Sequence, residues 1–405
     1  MRMMRENQAQ FEQNVREGTL AELPESEPLR DWVARDGELG WLGFSDYLFG
    51  LFFSSTPGAP GAVRAVRFGG DREPPFRRLP QPNERFGVDL SSAPVSDRSL
   101  AALADFQGLA ALSLQGRGQV TDRSLRTVAR MTDLAALDLR FTVTTGEGLA
   151  ALRGVSALRY LAVCFRDNDD AARHVARLPG LLGLGGPGIT DRALRALAPL
   201  TELTRLELSG AVTDTGLANL APFARLVTLK VSSGAVTDTG LARLPVLPAV
   251  ETLTVNNFDT KLRGPGLVGL TRLAALRWLS LAHNGLESAG LEHLAGMTRL
   301  KTLDLTANPI SDAGFARLRL PAGLGTLVLN RTRATDAGVA RLELPPSVST
   351  LSLIDVPLTD ASAGHLARFA GLRHLNIVGT RFTVAGAEQL AEALPNCTIQ
   401  TSFPK

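Results

Sequence analysis

Apolar residues recur along most of this chain at a fixed beat. Between Leu276 and Asp312, Leu276, Leu279 and Leu281 precede Asn284, and Leu291, Leu294 and Met297 follow at threefold spacing. Leu300, Leu303, Leu305 and Asn308 then restate the first pattern 24 residues on. The alternation Leu279–Ser280–Leu281 predicts a short strand with two leucines on one face. Leu291, Leu294 and Met297 predict a helical apolar stripe. Neither element can bury its face alone, so successive units must stack.

The same frame runs from Asp97 onward. With the aspartate as zero, apolar residues fall at +3, +6, +9, +12, +15 and +17, as in Leu100, Leu103, Phe106, Leu109, Leu112 and Leu114. Further copies start at Asp122, Gly146, Asp169, Asp191, Asp214, Asp238, Gly264, Ser288, Asp312, Asp336 and Asp360, with a degraded last one near Val384. This makes about 13 repeats of 22–26 residues. A Thr–Asp pair recurs at the helix start (Thr121–Asp122, Thr190–Asp191, Thr213–Asp214, Thr237–Asp238, Thr359–Asp360). Either side chain can cap the N–H groups of the helix that follows, and the acid suits the helix dipole. A small residue two positions on, often glycine (Gly216, Gly240, Gly290, Gly314, Gly338), allows close approach at the turn.

The spacing L-x-x-L-x-L-x-x-N resembles the leucine-rich repeat family. The T-D-x-G-L helix start is similar to bacterial and F-box-associated members, without the cysteines of the latter. The resemblance covers residues 86–400. It implies an α/β fold, a right-handed leucine-rich repeat solenoid or horseshoe with parallel strands on the concave face and helices on the convex face. Such a scaffold hosts many roles, so function has to be sought in the side chains it displays.

Three segments follow from this frame: a polar lead over 1–30, an aromatic-rich cap and connecting segment over 31–85, and the array over 86–405. Half of the 22 aromatics fall before residue 90, among them Trp32, Trp41, Phe44, Tyr47, Phe49, Phe52 and Phe53. A first repeat exposes a leucine edge, so a cap is the simplest reading of 31–68. The competing readings are a partner-docking or membrane-surface segment and a remnant F-box, for which only Leu23–Pro24 speaks. SSTPGAPG at 54–61 reads as a loop, Val63–Phe68 and Phe86–Leu90 as strands, and the Pro- and Arg-rich stretch between them as irregular.

Composition changes this picture little. A net charge of +3 is too thin to predict a nucleic-acid partner. Lysine is confined to Lys230, Lys261, Lys301 and Lys405, and the arginine- and alanine-rich usage suggests a bacterial coding sequence. Cys164 and Cys397 are too far apart in the array to imply a disulfide framework. The N-terminus lacks the apolar core of a secretory signal. The most apolar run, Leu39–Phe53, contains Asp46 and is too short to span a bilayer. A cytoplasmic setting is the expectation.

No catalytic set emerges, and the expectation is a non-enzyme without cofactor or metal. Gly183-Leu-Gly185-Gly-Pro-Gly188 satisfies G-x-G-x-x-G, but it keeps the repeat phase, Pro187 lacks an N–H, and Asp191 would repel phosphate. His174, His283, His293, His365 and His374 show no zinc spacing. The remaining candidate is the concave face, where side chains at +14, +16 and +18 point away from the core. It is mostly small and neutral. The exceptions are Arg140, Phe141, Tyr160, Phe165 and Arg166 in one cluster, Arg205 with Glu207 and Lys230 as a solvated charge group, and Trp278 with His283. Tyr, Trp and Arg are the residue types that anchor interfaces, and the longer turn at 256–261 is a second candidate surface. These features predict a protein-binding scaffold whose partner and oligomeric state the sequence leaves open. The alternative is an adaptor of a larger, ubiquitin-ligase-like or signalling assembly that docks through residues 31–68.

Overall fold

In many of the repeats a threonine stops the extended chain and caps a short helix. The Thr121, Thr145, Thr190, Thr213, Thr237, Thr359 and Thr383 side chains each accept a hydrogen bond from an N–H of the first helical turn, a cap worth about 1 kcal/mol. Leucines on the helix and on the following strand then bury one shared face. Leu217, Leu220, Leu226 and Leu229 are all fully buried, as are Leu291, Leu294, Leu300 and Leu303.

The computed structural model describes residues 37–44, 51–54, 63–116, 119–165, 169–178, 180–257 and 262–403. The lead over 1–30, the loop over 54–61 beyond Ser54, Arg166 and the tip of the 256–261 turn lie outside these residues, as do Trp32, Tyr47 and Phe49. The chain forms two units, Met1–Cys164 with Asp170–Gly186, and Phe165–Asp169 with Pro187–Lys405.

In the first unit, strands β1 (Gly37–Phe44), β2 (Leu51–Ser54) and β3 (Val63–Gly69) precede the repeats. β1 pairs antiparallel with both β2 and β3. β3 then opens a parallel ladder through β4 (Phe86–Ser92), β5 (Leu109–Ser113), β6 (Ala136–Leu139), β7 (Tyr160–Val163) and β8 (Gly183–Gly185). The stretch between β3 and β4 is largely irregular, as its prolines predict, apart from one 3₁₀ turn at Phe76–Arg78. The buried Phe76 ring of that turn meets Phe68 edge-on at 5.6 Å.

In the second unit the ladder runs in parallel through β9 (Pro187–Thr190), β10 (Arg205–Ala211), β11 (Thr228–Ser232), β12 (Thr252–Asn256), β13 (Trp278–Ser280), β14 (Thr302–Asp304), β15 (Thr326–Val328), β16 (Thr350–Ser352), β17 (His374–Asn376) and β18 (Thr398–Gln400). From β10 to β18 the +14 positions face one another in unbroken register.

Two connections depart from α-helix. Pro265–Arg272 and Leu291–Gly296 are 3₁₀ helices. At three residues per turn, Leu291, Leu294 and Met297 land on one face, which the threefold spacing already requires. The G-x-G-x-x-G run is no phosphate loop. Gly183 and Gly185 sit in β8 and Gly188 in β9, so no glycine turn opens onto a helix there.

The recurring aspartate has a job other than capping its own helix. Asp214 accepts hydrogen bonds from Thr237 of the next repeat, at 2.7 Å from its N–H and 2.6 Å from its hydroxyl. Asp122 holds Thr145, Asp191 holds Thr213, Asp312 holds Thr335, Asp336 holds Thr359 and Asp360 holds Thr383 in the same way. The glycine completes this lock. A Cβ at Gly148, Gly216, Gly240 or Gly386 would overlap the carboxylate of the preceding repeat's aspartate. T-D-x-G therefore reads as cap, clamp and clearance.

Candidate functional site

Strand alternation sends the +15 and +17 leucines toward the helices and the +14 and +16 side chains to the opposite face. What that face does differs between the units.

In the first unit it is covered. Ala111, Ser113, Ala136, Asp138 and Ala162 are all buried, with Asp138 and Ala162 at 0% exposure. The cover comes from the N-terminal strands. Leu42 of β1 shares an apolar cluster with Ala65, Ala111 and Ala136, Tyr160 packs at its margin, and β2 lies against β5 and β6. An open hollow at this position is the sequence expectation that the structure overturns, because the chain lays its own strands across it.

That cover changes the first candidate cluster. Arg140 is not extended toward a partner. Its Nη2 folds back onto Asp138 Oδ2 at 2.6 Å, and its Nε also donates to that carboxylate at 3.0 Å. A buried carboxylate needs such a charge-assisted partner. Phe165 is buried at 1% exposure, with its N–H bonded to Pro187 O at 2.8 Å. A phenyl ring placed just after the strand is drawn into the core rather than offered outside. Tyr160 is half-buried against Ala162 and the Leu42 cluster. Among the described residues of this cluster, Phe141 alone stands out, at 51% exposure.

In the second unit the same face is open along the strands after β11. Its +14 row carries Thr252, Trp278, Thr302, Thr326, Thr350 and His374, each at least partly exposed. Trp278 is the largest, 37% exposed at the first position of β13 and flanked across the ladder by Thr252 and Thr302. The neighbouring +16 row is occupied with internal bonds: Ser280 donates to Asp304, Ser352 to Asn330, and Asn376 to Gln400. No side-chain hydrogen bond engages the hydroxyls of Thr252, Thr302, Thr326 or Thr350 among the described residues. Threonine suits such a position both as a β-former and as a wet surface.

The charged group at the start of this unit also departs from expectation. Lys230 and Glu207 pair at 3.3 Å, but with side chains only 17% and 10% exposed. Glu207 and Lys230 stand opposite each other on β10 and β11, so the pair is sunk into the face rather than solvated.

His283 is half-buried in a left-handed conformation, φ 59°. Ala307, Arg331, Asp355 and Gly379 repeat that conformation at 24-residue intervals. In this turn each N–H of residues 283, 307, 331 and 355 reaches a carbonyl of the next repeat at 2.8–2.9 Å. The strain of about 1 kcal/mol per non-glycine residue belongs to the repeat and does not single out His283. Phe141 shares it, at φ 61°.

Sequence reasoning missed the residues just before the strands. Arg277, Arg299 and Lys301 are exposed on the edge beside Trp278. Their signal is position alone, one or three residues ahead of the +14 row. Among the described residues no group of His, Cys, Asp and Glu side chains is arranged to hold a metal ion, and no helix is long and apolar enough to cross a membrane.

The recurring leucine spacing and the parallel strand ladder together define the class of fold, a leucine-rich repeat. A leucine-rich repeat family model matches residues 297–316. Among solved structures, the chain is similar to an internalin from Listeria monocytogenes, with 18% identity over 77% of this chain and 90% of that one and a TM-score of 0.47. It is also similar to a chain of the yeast Rad7–Elc1 complex, at 18% identity over 78% and 80% with a TM-score of 0.47. A chain of the mouse RP105/MD-1 complex matches at 17% identity over 80% and 60% with a TM-score of 0.48. No curated protein sequence matches.

Proposed function

We propose that this protein is a non-catalytic scaffold that binds a protein partner on the open sheet face of its second unit. The observation that carries this is Trp278. An indole 37% exposed on a strand leaves apolar area in water, and Trp is the residue type that contributes most when an interface buries it. The row of threonines on either side offers shape and unspent hydroxyls around that anchor. Leucine-rich repeat folds commonly serve as interaction scaffolds, and the cover over Ala111 and Ala136 together with the Arg140–Asp138 pair leaves the first unit with less to offer.

The adaptor reading, in which residues 31–68 dock a second protein, has weaker support. β1 is hydrogen-bonded to β3 from Gly37–Phe68 to Leu42–Val63, and Leu42 is 1% exposed in the cluster with Ala111 and Ala136. Strands held in this way serve as a cover of the unit's own sheet.

Affinity capture from native lysate with three forms of the chain tests the proposal. Wild type and an Arg123→Glu variant on a helix should retain the same partner, while Trp278→Ala combined with Thr326→Arg loses it. A partner held equally by all three would place the interface elsewhere and overturn the reading.

A further inference from the structure

The edge of the sheet beside Trp278 carries an imbalance of charge. Lys301 N–H bonds to Arg277 O at 2.7 Å, so these two residues sit on neighbouring strands directly next to the Trp278–Thr302 pair. Arg299 precedes Lys301 by two residues and lies at the rim of a cleft of about 350 Å³ that Thr271, Ala274, Ala275 and Thr298 help to line. Opposing these three cations on the edge is Glu251, whose carboxylate lies 3.8 Å from Arg277 Nε with both side chains about half exposed. A contact that long and wet neutralises little. Lys301 Nζ is turned to Gly323 O at 3.1 Å, a neutral carbonyl that leaves its charge uncompensated. Asp304, the nearest acid on the face itself, is committed to Ser280 and Thr306.

Resting on the reading of the second unit's face as a protein-binding surface, we propose that Trp278 and the Arg277–Arg299–Lys301 edge together receive a protein segment carrying carboxylates beside an apolar side chain. The apolar side chain covers the indole, and the carboxylates meet the two guanidinium groups and the ammonium. Guanidinium favours carboxylate through paired, in-plane hydrogen bonds. A nucleic acid fits less well. It needs a run of phosphate contacts, and beyond Lys301 the corresponding positions on the next two strands are Gly325 and Ser349, which interrupts the cationic track.

The test is selection of random dodecapeptides displayed on phage against the immobilised full-length chain, followed by titration of the consensus peptide. The consensus should hold Asp or Glu next to a large apolar residue. Its Kd should rise about tenfold with Arg277→Glu/Arg299→Glu/Lys301→Glu, and also with Trp278→Ala. It should weaken as salt is raised from about 50 to 300 mM. A peptide with lysines in place of its acids should regain affinity for the charge-reversed chain. The neutral Arg277→Gln/Arg299→Gln/Lys301→Gln variant, with an unchanged unfolding midpoint, guards against a folding defect and should show a smaller loss. A consensus without acids that still depends on Trp278 would overturn this inference and leave the proposed function standing. Peptides indifferent to every variant, or no enrichment at all, would overturn both. Tighter binding of a single-stranded RNA 20-mer than of the peptide at about 150 mM salt would overturn the assignment to a protein segment.

Discussion

The two units put one strand position to opposite uses. In the first, the column Ala111–Ala136–Tyr160–Gly183 is in register and lies under strands that the chain itself supplies, with alanines only 3% and 7% exposed. In the second, Thr252–Trp278–Thr302–Thr326–Thr350 is in the same kind of register and meets solvent. The comparison teaches that the repeat fixes which way a side chain points but not what it points at. Whether an outward position becomes core or surface depends on a segment outside the repeat.

The largest effect that would break this contrast comes from Leu42. If it is a core residue of a true cover, Leu42→Ala opens a cavity and costs about 2–4 kcal/mol, read by urea unfolding. Thr326→Ala on the open face should stay within about 0.5 kcal/mol. Hydrogen exchange should place the Leu42 effect in β1–β6. Equal and small effects at both sites would mean that β1 and β2 do not cover the face.

Residues explain how much of this was legible. The strand and helix frame followed from leucine spacing, because burial of a repeating stripe leaves few alternatives, and the +14 columns could be read in order. The cover could not, since it joins residue 42 to residues 111 and 136 across elements with no shared pattern. A hint existed: alanine and glycine are poor choices for an exposed strand, and they fill the first unit's column where threonine fills the second's. Phe165 was misplaced because alternation says nothing about a residue past the strand end. The clamp was half legible. Thr–Asp signalled a helix start, but the acid's partner lies one repeat on, and only the geometry shows that the glycine makes room for it.

The next effect sharpens the comparison by showing what the units share. Asp122 with Gly148 in the first unit and Asp214 with Gly240 in the second form the same lock. Gly148→Ala and Gly240→Ala should therefore cost similar amounts, about 1–3 kcal/mol each, from overpacking and loss of the clamp. Gly364→Ala meets open space within a helix and should be neutral or stabilising by up to about 1 kcal/mol. Adding Asp214→Ala to Gly240→Ala should cost less than the sum of the singles, since the overlapping group is gone. Strict additivity would disprove the shared lock.

The smallest effect uses pH to separate the lock from the face. Burial alone would raise the pKa of Asp336, but hydrogen bonds from the Ser362 hydroxyl and from the Thr359 hydroxyl and N–H, with His365 nearby, outweigh it and hold the carboxyl below its ordinary value. A carboxylate with a depressed folded pKa adds stability that is complete above the unfolded pKa, near 4. That stability is lost as the pH falls through the folded value, because the unfolded chain takes up the proton first. Asp336→Asn should therefore cost on the order of 1 kcal/mol at neutral pH, a figure reduced from that of a buried charged bond by the site's solvent exposure. The difference between wild type and variant should shrink as the pH drops below about 4. Trp278 carries no such group, so Trp278→Ala should shift stability by the same small amount at every pH. A constant gap for Asp336→Asn across that range would show that the clamp acts through shape rather than charge.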